Sequence, residues 1–306
     1  MDKLLILGTG FIGSHLKHLA MEKGIMTFTA GGDDGADMRE VMETDNAIAD
    51  FQPDYIVNVL GKNGGIGYNI KYPGDIFYDN TVLGLNVLNS AAHSGKKPKV
   101  VSLLTSCGYP PPENGGLFEK QYLVRDPHES VACHGYAKRN ILLASQFYNK
   151  QYGLRSICLV PNTVYGPRDR IDLDRTKVGM ALVKKFVDAK REGRDYVELW
   201  GSGTALREFI YVEDVCELIL QAMYKYDDYS LPLNLGSGQE ISIIDLANLI
   251  KRVVGFDGEI RTTNQPDGQG RKRLYMDRQI QILGNYDFTP LEEGIRRTVE
   301  WYKNIC

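Results

Sequence analysis

The feature that most constrains this chain is the run Leu4-Leu5-Ile6-Leu7-Gly8-Thr9-Gly10-Phe11-Ile12-Gly13. Four consecutive apolar residues suit a strand buried on both faces, and a Gly-x-Gly-x-x-Gly turn follows without a break. Ile12, Leu16, Leu19 and Ala20 then recur at helical spacing, which completes a strand–turn–helix unit. Gly8 permits the tight turn, and Gly10 lets backbone come up to a pyrophosphate. Gly13 lets the helix lie close on the strand, while Phe11 and Ile12 open a helix whose unpaired N–H groups face the anion. The stretch therefore predicts a dinucleotide-binding unit.

The alternation continues. Ile25 to Ala30 reads as a second strand, running into Gly31-Gly32-Asp33-Asp34. An acid such as Asp33, about 20 residues past the glycine turn, suits a ribose hydroxyl and favours NAD over NADP; a solvated acidic turn is the other reading. Asp37-x-x-Glu40 resembles a capping box for a helix reaching Phe51, so Asp37 stands beside the same cofactor edge. Tyr55 to Leu60 is a further strand, and Leu60, Gly61 and Lys62 fall at its C-terminal end, where a doubly wound sheet binds ligands. A helix over Thr81–Ala92 and a strand over Val100–Leu104 follow. Strand, helix, strand without an internal repeat gives an α/β parallel sheet.

Other classes are disfavoured. A length of 306 residues accommodates two lobes, and a net charge of −3 with no basic-aromatic stripe argues against nucleic acid. No apolar run approaches the roughly 20 residues of a membrane span. Met1-Asp2-Lys3 leads straight into a strand rather than a secretory signal. Five scattered cysteines, never in Cys-x-x-Cys spacing, argue for reduced thiols in a cytoplasm and against a zinc site.

Several motifs carry a joint resemblance. They are the glycine turn, Gly64-Gly65-Ile66 with Tyr72-Pro73 and Asn80, and Thr105-Ser106-Cys107-Gly108-Tyr109-Pro110. Tyr148-Asn149-Lys150-Gln151-Tyr152-Gly153, Tyr165-Gly166-Pro167, Trp200-Gly201-Ser202-Gly203-Thr204 with Arg207-Glu208-Phe209, and Pro266-Asp267-Gly268 complete the set. The chain resembles the extended short-chain dehydrogenase/reductases over essentially its whole length, nearest to GDP-L-fucose synthases and next to GDP-mannose 3,5-epimerases. The resemblance implies a Rossmann-type sheet with a smaller C-terminal α/β lobe. It divides the chain into 1–166 with about 205–240 for NAD or NADP, and 167–204 with 241–306 for a nucleotide-sugar. It also implies a homodimer, through the Thr81–Ala92 helix and the helix bearing Ile141, Leu142 and Phe147, and no metal.

The family's chemistry uses a Ser/Thr hydroxyl, a tyrosine and a lysine in Tyr-x-x-x-Lys. The phenol exchanges a proton with a sugar oxygen, and the lysine lowers the phenol pKa and holds the nicotinamide ribose. By resemblance Thr105 is the hydroxyl and Lys138 the lysine. The tyrosine is missing: His134 stands four residues before Lys138, and the nearest phenol is Tyr136. Two helical residues turn through about 200°, so either His134 moves the proton or an irregular helix start brings Tyr136 in. Cys107 matches the base that removes a proton α to a C4 ketone. Its partner acid falls at Lys177, with Arg175 as a substitute. A thiolate beside an ammonium is sound chemistry, because each favours the other's ionised form.

For the sugar nucleotide, the resemblance places Trp200 near guanine and Arg207 on the diphosphate, with Asn162 shifted one residue from its usual place. Arg271, in the basic run Arg271-Lys272-Arg273, falls where relatives hold the diphosphate and nucleoside. The expected activity is epimerisation at C3 and C5, redox at C4, or both, on a GDP-hexose or GDP-heptose. A pure epimerase, a C4 dehydrogenase, and a cofactor-binding regulatory subunit weakened by the His134 exchange are the alternatives.

Overall fold

The computed structural model describes all residues except 33–34, 113–115, 174 and 266–269. The first half alternates β1 (Lys3–Leu7), α1 (Phe11–Glu22), β2 (Met26–Ala30), α2 (Val41–Phe51), β3 (Tyr55–Asn58), α3 (Ile66–Lys71), α4 (Pro73–His93), β4 (Lys99–Leu103), α5 (Ala132–Tyr152) and β5 (Ser156–Pro161). The second half holds β6 (Thr163–Tyr165), α6 (Val178–Arg191), β7 (Tyr196–Leu199), β8 (Leu206–Tyr211), α7 (Val212–Lys225), β9 (Leu233–Leu235) and β10 (Glu240–Ser242). It closes with α8 (Ile243–Val254), β11 (Glu259–Thr262), β12 (Arg271–Lys272), α9 (Asp277–Leu283) and α10 (Leu291–Ile305).

Six strands form one parallel sheet in the order β2-β1-β3-β4-β5-β9. β1, β3, β4 and β5 are almost wholly buried, as their unbroken apolar sequences require. One apolar core fills the face covered by α1 and α7, and a second fills the face under α2, α4 and α5. The chain order reverses between β1 and β3, so the crevice beyond their C-terminal ends is the ligand position of a doubly wound sheet. A third core joins α6, α8 and α10 to β7 and β8. There β8 pairs with β6, β10 and β12, and β7 pairs with β11. No described helix is long and apolar enough to cross a membrane.

Local expectations met the structure unevenly. Ser242 caps α8 by accepting the Asp245 N–H, and Gly255 ends that helix in a left-handed conformation. The capping box at Asp37 does not form: α2 starts after Glu40 without a side-chain cap. Asp37 instead accepts the Arg39 backbone N–H and guanidinium, because that ion pair offers more donors than a helix end. The helix expected from Thr81 begins a full two turns earlier, at Pro73, where proline suits the first helical position. Ile141 and Leu142 of α5 point inward onto α4 and the sheet, so they are not available for a dimer contact.

Candidate active site

The glycine turn lies at the end of β1 as anticipated. Gly8 has φ of 111°, a conformation that disfavours a side chain, and a Cβ there would sit 3.1–3.3 Å from Val59 and Leu60 atoms. A Cβ on Gly13 would run into the Gly8 carbonyl oxygen. Gly10 precedes α1 and is exposed, with nothing within 4 Å of where its Cβ would lie, and Phe11 and Ile12 begin the helix. Bare backbone therefore faces the crevice at a helix N-terminus, which fits a pyrophosphate. Asp33 lies outside the described residues.

On the far side of the crevice, Leu60 offers its carbonyl to Lys138 Nζ at 3.0 Å. Gly61 leaves space 3.3 Å from Asn80 Oδ1 and 3.8 Å from Lys138 Nζ, room that a Cβ would fill. Asn80 pins this loop by accepting the Lys62 backbone N–H at 3.1 Å and donating to the Lys62 carbonyl at 2.8 Å. The Lys62 ammonium is turned onto buried Asp79 at 2.6 Å, and Arg39 meets the same carboxylate at 2.9 Å while holding Asp37. This four-residue ion cluster was not foreseen, because Asp79 is separated from Arg39 by 40 residues and only the packing of α4 brings them together.

The centre of the site is built by α5. His134 and Lys138 are one helical turn apart on the same face, 4% and 5% exposed. Tyr136 is on the opposite side, its hydroxyl donating to Asp126 at 2.6 Å and its pKa raised first by that bond. The helix runs without irregularity through both residues, so His134 shares the face of Lys138 and Tyr136 does not. The Nδ1 of His134 is buried with no hydrogen-bond partner among the described residues. Burial holds the imidazole pKa down, opposed by its contact with Cys107. Burial also lowers Lys138, to about 8.

Cys107 enters from the turn after β4. Thr105 caps that turn, its hydroxyl accepting the Cys107 N–H at 3.2 Å, while Tyr122 donates to the Thr105 carbonyl at 3.1 Å. Gly135 lies directly on the turn: a Cβ there would sit 2.6 Å from the Cys107 carbonyl oxygen and 2.9 Å from Pro127. Burial would push the Cys107 thiol up, but the Lys272 ammonium and the His134 imidazole overcome it and draw it down to about 5. Lys272 Nζ lies 3.5 Å from Sγ.

Lys177 is therefore not the ammonium against the sulfur. It stands exposed at the start of α6, where its charge reaches His134 and Asp169. Arg175 stacks over Tyr68 at 5.2 Å. Lys272 was passed over within its basic run, yet strand alternation was a usable signal. In β12 neighbours face opposite sides, so Arg271 turns to Glu240, in two bonds of 2.7 and 2.6 Å, while Lys272 turns to Cys107. Arg271 is thus engaged by a carboxylate and does not offer an open fork.

The remaining residues expected at the substrate lie on or beside β6, β7 and β8. Asn162 is buried, donates to Glu208 at 2.6 Å and leaves its Oδ1 without a partner among the described residues. Glu208, itself fully buried, accepts from the Ser237, Gly238 and Leu274 backbone N–H groups at 2.8–2.9 Å. Arg207 bonds its neighbour's carbonyl at 2.7 Å. Trp200 is 66% exposed beside a pocket of about 420 Å³ framed by Lys185, Glu198, Thr263, Asn264 and Gln265. The Pro266-Asp267-Gly268 motif lies outside the described residues. No group of three or more potential metal ligands occurs among the described residues.

Residues 4–236 match the model of the NAD dependent epimerase/dehydratase family. The chain belongs to that family. It is 31% identical to GDP-L-fucose synthase 1 of Arabidopsis thaliana over 99% of this chain and 94% of the other. Against a GDP-L-fucose synthase of Sinorhizobium fredii the identity is 35%, over 86% and 83%. A solved GDP-L-fucose synthetase from Naegleria fowleri superposes with a TM-score of 0.89 at 25% identity, covering 99% of this chain and 94% of that one. This family member is an NAD(P)-dependent epimerase/oxidoreductase acting on sugar nucleotides.

Proposed function

We propose that the enzyme epimerises and reduces a GDP-linked 4-keto hexose or heptose, with Cys107 as the base and His134 in place of the family tyrosine. The observation that carries this is the single-site convergence of Cys107, His134 and Lys138 beside the crevice. A 4-keto group acidifies the protons at C3 and C5. The Cys107 thiolate takes one, and Lys177, whose charge already reaches His134, returns a proton on the opposite face. The hydride for C4 would come from a nicotinamide held in the crevice at the glycine turn. His134 passes a proton to the C4 oxygen, for which its buried position one turn from Lys138 is suited, and Thr105 steadies that oxygen through its hydroxyl. Lys138 would hold the nicotinamide ribose and keep positive charge near the developing alkoxide.

The nucleobase end supports guanine. Trp200 stands at the rim of the pocket, and the Glu198 carboxylate has no hydrogen bond or ion pair among the described residues. Guanine presents two adjacent N–H donors on its pairing edge, which a carboxylate accepts together. Titration calorimetry should show GDP bound more tightly than UDP or ADP, and Glu198→Gln should weaken GDP about tenfold. Equal affinity for all three diphosphates would remove the guanine assignment.

The decisive test of the chemistry is solvent-deuterium incorporation at C3 and C5 of a GDP-4-keto sugar. Cys107→Ser should lose most of it while NAD(P)H binding, followed by fluorescence, survives. Full incorporation in that variant would leave Cys107 as a packing residue. The reading also includes a homodimer across α4 and α5 and a reducing, cytoplasmic setting, supported by exposed Phe77, Tyr78 and Phe147 and by five free cysteines.

A further inference from the structure

We propose that Lys272 is the positioning residue that holds Cys107 in its thiolate form, its ammonium clamped against Sγ by a strand that Glu208 and Asn162 fix in place. The inference rests on the reading of Cys107 as the base and adds the group that makes it one.

The geometry is over-determined. Lys272 pairs with Arg207 in parallel register, and its carbonyl lies 3.5 Å from Asn162 Nδ2. Two residues on, the Leu274 N–H is held by Glu208 at 2.8 Å. The backbone at Lys272 and just beyond it is therefore tied to a buried carboxylate and its partner amide. Alternation along β12 sends Arg271 to Glu240 and leaves Lys272 alone facing the sulfur at 3.5 Å.

The other groups around Cys107 do not supply the same charge. From its own turn come the Thr105 hydroxyl and, behind it, the Tyr122 phenol on the Thr105 carbonyl. From α5 come Cys133, a half-buried thiol, and His134. Burial holds His134 toward its neutral form, so the imidazole does not bring the sulfur a standing full charge. Lys138 and Lys177 act on His134, which they disfavour as a cation. The full positive charge in contact with Sγ is that of Lys272. An ammonium at this distance in a site of low dielectric favours the thiolate and opposes its burial penalty.

The consequence for the reaction is definite. When Sγ takes a proton from the carbon next to the ketone, the C–H bond breaks, an S–H bond forms and the electron pair moves to the enolate oxygen. Lys272 exchanges no proton in this step; it loses an ion-pair partner and gains a developing enolate nearby. It therefore sets how much thiolate stands ready, and does not itself invert the sugar.

The experiment is pulse alkylation of the full chain with iodoacetamide across pH 4.5–9.5, with modification at Cys107 resolved by peptide mass spectrometry. Wild type should reach half-maximal rate near pH 5. Lys272→Met and Lys272→Gln should move that midpoint up by about two pH units or more, and slow alkylation at pH 6 about tenfold or more. Lys272→Arg should restore most of the shift, and Lys177→Met should leave the midpoint where it was. Unchanged circular dichroism shows that the variants are folded; if Lys272→Met is not, Lys272→Gln carries the comparison. A Cys107 midpoint unmoved in folded Lys272→Met or Lys272→Gln overturns the proposal. Deuterium exchange in Cys107→Ser is read separately, so a midpoint that moves while exchange persists keeps the clamp and removes only the base.

Discussion

At the scale of single residues, the exchange of tyrosine for His134 has the sharpest consequence. His134→Phe should lower hydride transfer, followed at 340 nm, by roughly 10²–10⁴-fold, the range for loss of a positioned acid. Tyr136→Phe should leave it nearly unchanged, since that phenol is spent on Asp126 at the surface. The reverse pattern would require α5 to start differently from what is seen. The pH profile follows from two shifts of known sign. Cys107 acts as a base only when deprotonated, so exchange at C3 and C5 should fall as pH drops through about 5. Lys138 is charged only below about 8, so cofactor affinity should weaken as pH rises through that value. At this scale the sequence was legible wherever a residue's role depends on its near neighbours. The four-residue step from His134 to Lys138 is enough to put both on one face, and it excludes Tyr136 if the helix is regular. Lys272 was legible only in part: strand alternation separates it from Arg271, but its partner lies 165 residues away and only sheet pairing decides which face turns in.

At the scale of elements, β8 and β12 are held by one carboxylate. Glu208 takes four donors from three separate segments, so removing it strands buried N–H groups rather than one bond. Glu208→Ala should cost about 3 kcal/mol in urea denaturation and also raise the midpoint of Cys107 alkylation, because β12 loses its anchor. A stability loss below about 0.5 kcal/mol would contradict this. Ser242→Ala, which removes only the α8 cap, should cost about 1 kcal/mol and leave the Cys107 midpoint unmoved. Such a cap has a short-range signature, here Ser242-x-x-Asp245. The sequence could not mark Glu208, which reads in Arg207-Glu208-Phe209 as an ordinary surface charge until β8 is buried by its neighbours. The failed capping box at Asp37 has the same origin: a local pattern lost to Arg39, itself held by Asp79 from a distant helix.

At the scale of the whole molecule, the parallel sheet was readable from repeated apolar runs, because each buried strand leaves an unbroken signature. Assembly was less so. Helical periodicity marks Ile141 and Leu142 as apolar without saying which partner covers them, and the partner is α4 of the same chain. Phe77, Tyr78 and Phe147 remain outside, so sedimentation at micromolar concentration should give a dimer and Phe147→Asp a monomer. A monomeric wild type would discard the dimer. Finally, the contact of Gly135 with the Cys107 carbonyl bears on how such a catalyst can change over evolutionary time. Position 134 presents an interchangeable side chain to a fixed frame, so one substitution there can convert the acid without moving the thiolate. Position 135 admits no side chain unless the helix lifts off the turn. The chemistry of this fold can therefore drift at one residue while its neighbour stays frozen, and His134→Tyr is the step by which a laboratory lineage could travel between the two kinds of proton donor.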